Sequence, residues 1–400
     1  MKNTWRFGER EFNYVREVLD SGFGSGTSGG MNNRFEQAFA KTIGAKFAIT
    51  FNSGTSTLHA ALDACGVGAG DEVIIPPLTV ISDVDVILAQ NAVPIFADID
   101  PDTFNMDPAD TAKKITKKTK AIMPVSLYGV SCDLDPFMKL AEKHGIYVIN
   151  DAAQAFMSQY KGRPIAEIAH ITSYSLENSK HITTGDGGIV VTNDEVLAEK
   201  MRKFGSLGYA ALKSKDGRIR LNKDIFQDPT YKRHDAFGYN YRMPEVAAGV
   251  GLAQTERIKF FIDLRLGIAK MYEEVIKEIG CKYLIAQKIP AGCNSTYWCY
   301  TVKYVREDIS WQDFRKKYME FGGDGIYAAW ALIYEETFMA TGIFKQRCPH
   351  YYKDIEYKKG LCPNAEKVQP SIMQFVNNYG SLDEARPKVE ALKKTIQYFK

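Results

Sequence analysis

The chain has 400 residues, 45% of them hydrophobic and 25% charged, a balance expected of a soluble globular protein with two domains and ample core. A formal net charge of +3 with no long basic block argues against a nucleic-acid partner. Seven scattered cysteines, odd in number and without a C-x-x-C pair, argue against a disulfide framework or a metal site. No stretch of about eighteen apolar residues is present, so no membrane span is expected. The charged start, Met1 to Arg10, lacks an apolar signal core, and a cytoplasmic location is expected.

In chain order, short apolar runs alternate with stretches of helical spacing through the first half. Phe47–Phe51, Glu72–Ile75, Val93–Phe96, Ala121–Val125 and Ile146–Ile149 read as strands; Thr57–Ala64 and Leu134–His144 read as helices. Such alternation predicts an α/β fold, a mainly parallel sheet flanked by helices, with ligands at the strands' carboxyl ends. Residues 213–232 are polar and aperiodic and read as a long loop. Helical spacing resumes from Pro244 to about Lys270, with Val246, Val250, Ala253, Ile258 and Phe261 as core positions. A smaller C-terminal α+β domain is expected after a boundary near 255–265, giving a large domain of 1–258 and a small one of 259–400. Within the latter, Tyr297–Val302 reads as a strand and Leu382–Tyr398 as a helix.

Three segments carry chemistry. Asn52-Ser53-Gly54-Thr55-Ser56 follows an apolar run and opens a helix, where hydroxyls and free N–H groups suit a phosphate or simply cap the helix. Asp151 ends the run Tyr147–Asn150, either as an N-cap or as a carboxylate delivered at a strand's carboxyl end. Lys180 lies five residues after Ser175 and just before the Gly185–Gly188 turn. A lysine held among apolar segments loses charge stabilisation, and its amine can attack a carbonyl. Pyridoxal 5'-phosphate (PLP) needs such a lysine, together with an acid that keeps its pyridine nitrogen protonated. Each segment alone also fits an ordinary cap, turn or surface lysine.

Taken in order, the segments resemble the DegT/DnrJ/EryC/StrS family of PLP-dependent sugar aminotransferases, of aspartate aminotransferase fold type I. The resemblance also covers Asp71–Thr79, Pro94–Asn105, Asp151–Gln154 and Gly238-Tyr239-Asn240-Tyr241-Arg242-Met243. It implies that Lys180 forms the Schiff base with PLP and then shuttles the proton, while Asp151 pairs with the pyridine nitrogen. It implies that Gln154 lies near the ring's phenolic oxygen, that Gly54, Thr55 and Ser56 bind the phosphate, and that Ser175 adds a hydroxyl. Asn240 would reach the phosphate of a neighbouring subunit, which implies a homodimer with shared sites. The implied reaction moves an amino group from L-glutamate, by way of pyridoxamine 5'-phosphate, to a keto or aldehyde sugar. That sugar is either nucleotide-linked or a free oxo sugar acid such as an 8-oxo octulosonic acid, and it feeds amino-sugar or surface polysaccharide synthesis.

Departures from the family pattern bear on the substrate. Val80 stands where an aromatic residue often supports the ring, and Ser126 where a histidine is common; Glu177-Asn178-Ser179 is an unusual lead into the lysine. A related group of sugar dehydratases replaces the lysine with histidine. Here Ser175 and Gly185 fix the register on Lys180 rather than His181, which favours transamination over dehydration or a catalytically silent subunit.

Overall fold

The computed structural model of the protein describes residues 4–400. The first half forms β1 (Phe47–Phe51), β2 (Glu72–Ile75), β3 (Val93–Phe96), β4 (Thr119–Ile122), β5 (Tyr147–Asp151), the hairpin pair β6 (Gln159–Tyr160) and β7 (Arg163–Pro164), β8 (Ile171–Ser175) and β9 (Gly188–Thr192). Among the described residues, one seven-stranded sheet runs in the order β1-β9-β8-β5-β4-β2-β3. The pairs β2–β3, β2–β4, β4–β5 and β5–β8 are parallel, whereas β9 is antiparallel to both β1 and β8. Strands β1 to β5 and β8 therefore point one way. Their carboxyl ends meet the amino end of β9 along a single edge.

The strands read as nearly unbroken apolar runs because both sheet faces are covered. Alternate residues divide between two hydrophobic clusters: Ile49, Val73, Ile149 and Val190 face one side, and Ala48, Ile74, Val148 and Ile189 face the other. Helix Gly54–Ala64 packs across β1, β5, β8 and β9 on the first side. Helix Met31–Ile43 packs on β1 and on helix Glu245–Glu256.

Several elements differ from their sequence-based bounds. The fourth strand ends at Ile122 rather than Val125, since Pro124 has no N–H to extend the ladder. The stretch 213–232 holds a five-residue helix, Lys223–Gln227, whose start is capped by Asn222. The helical stretch from Pro244 is two helices, Glu245–Glu256 and Ile258–Ile279, broken at Arg257 (φ −108°). The Arg257 guanidinium is drawn to the N-terminal arm, donating to Trp5 O at 3.0 Å and Glu11 Oε1 at 2.9 Å. Val246 and Val250 are only partly buried; Ala248 and Leu252 fill the core instead.

A second sheet comprises β10 (Leu284–Ala286), β11 (Tyr300–Tyr304), β12 (Tyr327–Ala328) and β13 (Ile372–Phe375), antiparallel in the order β10-β11-β13-β12. Strand β11 starts at Tyr300 because Tyr297 takes a left-handed conformation (φ 48°). The long helix Ile258–Ile279 buries Ile258 and Phe261 in a cluster of the first sheet and Ile268 and Tyr272 in that of the second. Among the described residues no helix is long and apolar enough to cross a membrane.

Candidate active site

The turn after β1 leaves free N–H groups at a helix start, where an anion can be held. Ser53 caps helix Gly54–Ala64, its Oγ accepting from Ser56 N at 3.0 Å. Gly54 and Thr55 precede any intrahelical acceptor, so their N–H groups are available at the positive end of the helix. Two glycines let neighbouring backbones close around this turn. A Cβ on Gly188 would lie 2.3 Å from Ser53 O, and one on Gly54 2.8 Å from Ser175 Cβ. The ends of β1, β8 and β9 can meet here only without those side chains.

Asp151 ends β5 and is 2% exposed. Its Oδ1 accepts from Ala153 N at 2.9 Å. Burial raises its pKa, while the Ala153 N–H and the Lys180 ammonium oppose that rise. Lys180, 9% exposed, follows β8 in the turn that leads back to β9. Burial lowers its pKa, and Asp151 and Glu177 work against that. Its Nζ lies 4.8 Å from the centre of the Trp298 ring, a cation–π contact.

Two buried arginines hold the Lys180 turn by its carbonyls. Arg6 Nη2 donates to Lys180 O at 2.6 Å, and Arg265 Nη2 to Ser179 O at 3.2 Å and Lys180 O at 3.3 Å. Trp298 Nε1 donates to Ser179 O at 3.0 Å, and Glu177 Oε2 accepts from Ser179 N at 3.0 Å. With so many partners the lysine stem has a fixed origin.

Lys180, Asp151, Gly54, Thr55 and Ser175 line one cavity of about 430 Å³. Ser56, Gln154 and Asn240 do not. The Ser56 N–H is taken by Ser53, and its hydroxyl donates to Asn52 Oδ1 at 2.6 Å. Gln154 is buried with Oε1 accepting from Tyr128 N at 2.7 Å. Asn240 is exposed, in a segment bridged to Ser206. Val80 does line the cavity, together with Trp298 and Trp330. Neither tryptophan was found by sequence reasoning: Trp298 precedes β11 and Trp330 follows β12, with no chemical motif around either. Asp83, fully buried beside Asp151, was also missed; an acid in a first helical turn reads as a surface residue.

The residues fit PLP. A cradle that two added Cβ atoms would fill suits the phosphate, a buried acid suits the ring nitrogen, and a buried lysine suits the aldehyde. The fold and this edge of the sheet define a PLP-dependent aminotransferase. The family model of the DegT/DnrJ/EryC1/StrS aminotransferases matches residues 6–378, and the chain belongs to that family. It is 38% identical over 293 residues to a GDP-perosamine synthase of Escherichia coli O157:H7, covering 73% of this chain and 74% of that one. It is 37% identical over 272 residues to the spore coat polysaccharide biosynthesis protein SpsC of Bacillus subtilis, covering 68% of each. The solved aminotransferase from Psychrobacter cryohalolentis superposes with a TM-score of 0.84 at 30% identity, covering 98% of both chains.

Proposed function

We propose that this enzyme transfers the amino group of L-glutamate to the carbonyl of a sugar, with a nucleotide-linked keto sugar as acceptor. The observation that carries the reading is the meeting of Lys180, Asp151 and the Gly54–Thr55 turn in one cavity at the carboxyl edge of the sheet. The sugar is chosen because the relatives at 38% identity are GDP-perosamine synthases. A free oxo sugar acid is the alternative acceptor. When bound, PLP supplies the carbonyl that accepts the amine and the ring that delocalises charge from the substrate carbon.

The chain's own residues do the rest. Gly54, Thr55 and Ser175 hold the phosphate, and Asp151 keeps its negative charge against the ring nitrogen. Lys180 would hold the cofactor's aldehyde through Nζ and would be a free amine once the amino donor had taken its place. The free amine, its proton affinity reduced by burial, then takes the donor's α-proton and later returns one to the sugar carbon. Trp298 and Trp330 form apolar wall of the cavity. Residues 1–258 hold the cofactor, and 259–400 supply both tryptophans. The functional unit is a two-fold homodimer in which Asn240 serves the partner's cavity. That reading is supported by the exposure of Asn240 outside its own cavity, beside Phe237 at 73% exposed.

The test is incubation with glutamate and a panel of keto and aldehyde sugars, products being read by mass spectrometry. An added amino group on a nucleotide sugar is expected; dehydrated product without nitrogen gain would reject transamination. Borohydride should fix PLP to the wild type but not to Lys180→Ala, which should also lose turnover while keeping the fold.

A further inference from the structure

Helix Ser82–Ala89 opens on two acids, Asp83 and Asp85. Acids in a first helical turn ordinarily face water and complement the helix dipole. Asp85 is exposed, whereas Asp83 has no accessible surface. One oxygen, Oδ2, accepts from the Thr79 hydroxyl at 2.7 Å. The other, Oδ1, has no partner among the described residues. The carboxyl beside Asp83 is that of Asp151, and with both ionised neither can donate to the other.

Two carboxylates cannot both stay ionised in contact away from water. A proton on Asp83 resolves the whole cluster. Thr79 then donates to Asp83, Asp83 to Asp151, and the Ala153 N–H to Asp151 at 2.9 Å. Burial, then the adjacent Asp151 charge, drives Asp83 well above the ordinary carboxylate range. Asp151 is burdened by burial too, but the Ala153 N–H and Lys180 favour its ionised form. Beyond these, the titratable group against Asp151 is Cys132, whose thiol burial keeps protonated. The Ser126 hydroxyl is turned to Asn150 Oδ1 at 3.1 Å and leaves Asp151 to Asp83.

We propose that Asp83 is a positioning residue for the cofactor's ring nitrogen: as a neutral acid it donates a hydrogen bond to the Asp151 carboxylate. The two acids share one proton and one negative charge, and the bond aims that charge into the cavity. This rests on the reading of Lys180 and Asp151 as a PLP site.

Asp83→Asn imitates the neutral acid, with a carbonyl for Thr79 and an N–H for Asp151; Asp83→Ala removes the donor. Apo forms of the wild type and both variants are titrated with PLP, and the absorbance of the bound cofactor is followed with pH. The Asn variant should bind PLP within about threefold of wild type, while Ala should lose about ten- to a hundredfold, the usual worth of a bond to a charged group. Thermal midpoints of the apo forms give a second reading that needs no cofactor. An unfolded aspartate has lost its proton above its ordinary pKa of 3.8, but folded Asp83 keeps it. Stability from this group therefore falls as pH rises, up to the folded pKa. Asp83→Asn should raise the midpoint, and by more at pH 8 than at pH 5.

An Asn variant as weak as the Ala variant would overturn the proposal, because Asp83 would then act as an anion. An Ala variant that binds PLP like wild type, or a midpoint gain equal at both pH values, would overturn it as well. Should the Ala variant not fold, the Asn variant and its midpoints still decide. Failure of the wild type to take up PLP would overturn the proposed function with it, whereas equal uptake by all three proteins defeats the Asp83 proposal alone.

Discussion

Burial acts in opposite senses on the two residues that define the site. It disfavours the charged forms of both Asp151 and Lys180, so it raises the acid's pKa and lowers the amine's. Each nevertheless favours the other's charge. Bound PLP would take over the partnership of Asp151, leaving Lys180 free to act as a base. Asp151→Asn should still bind PLP through the phosphate cradle but slow proton removal from glutamate by orders of magnitude, measured in the half-reaction with glutamate alone. Rates within a few-fold of wild type would reduce Asp151 to a structural acid. His181 next to the lysine is a different kind of buried group. Its Nε2 lies 3.0 Å from Thr296 O, and Nδ1 has no partner among the described residues. Burial, then Arg265, pushes its pKa well below the ordinary 6.5. The unfolded chain thus takes up a proton below about pH 6.5 that the folded chain refuses, and stability falls as pH falls, by about 1.4 kcal/mol per pH unit for one such group. His59, lowered to about 4 by burial, adds to the same trend. His181→Gln keeps a donor for Thr296 and should flatten the decline of thermal midpoint between pH 6.5 and 5; an unchanged slope would clear His181 of that role.

At the scale of elements, the site depends on how closely three strand ends and one helix approach. Strand β9 reverses after residues 176–187, a connection that holds no helix to carry a parallel crossover. That reversal brings Gly188 against Ser53 O and places Lys180 between the two strands. Gly188→Ala should force β9 away from the cradle at about 1–3 kcal/mol, the range for overfilled cores, and weaken PLP binding in parallel. Denaturant unfolding and PLP titration check both, and a variant with wild-type values would show that the backbone yields freely. The turn itself is pinned from two distant elements, by Arg6 of the N-terminal arm and Arg265 of the long helix. Movement of that helix is thereby mechanically linked to the position of the lysine.

For the whole molecule, the second sheet matters to chemistry because it carries Trp298 and Trp330 to the cavity. Acidic side chains, Asp85, Asp151, Glu177 and Asp186, outnumber the one base, Lys180, among the charged residues lining it. An anionic substrate would therefore need positive groups from outside this cavity, which the proposed shared dimer could supply. Asn240→Asp should be severely impaired, its new carboxylate repelling the partner's phosphate, and Lys180→Ala should be inactive. A mixed dimer of the two would hold one site with both lesions and one with neither. Co-refolding should restore about a quarter of wild-type activity under random mixing in a two-fold dimer. Absence of rescue, with mixed dimers shown to form, would place Asn240 within its own chain's function.

The strands β1, β2 and β3, helix Leu134–His144 and the mainly parallel sheet followed from sequence alone, as did the order of cradle, acid and lysine. These are local or periodic properties: apolar runs delimit strands, and a ligand group at a strand's carboxyl end lies within a few residues of that run. The break at Arg257 and the commitments of Ser56 and Gln154 arose from contacts between residues far apart or from competition for one N–H. Trp298, Trp330 and Asp83 carry no local mark of their place. An aspartate in a first helical turn reads the same whether it faces water or another carboxylate. Only the tertiary fold brings Asp83 beside Asp151, because burial and charge are set by neighbours in space.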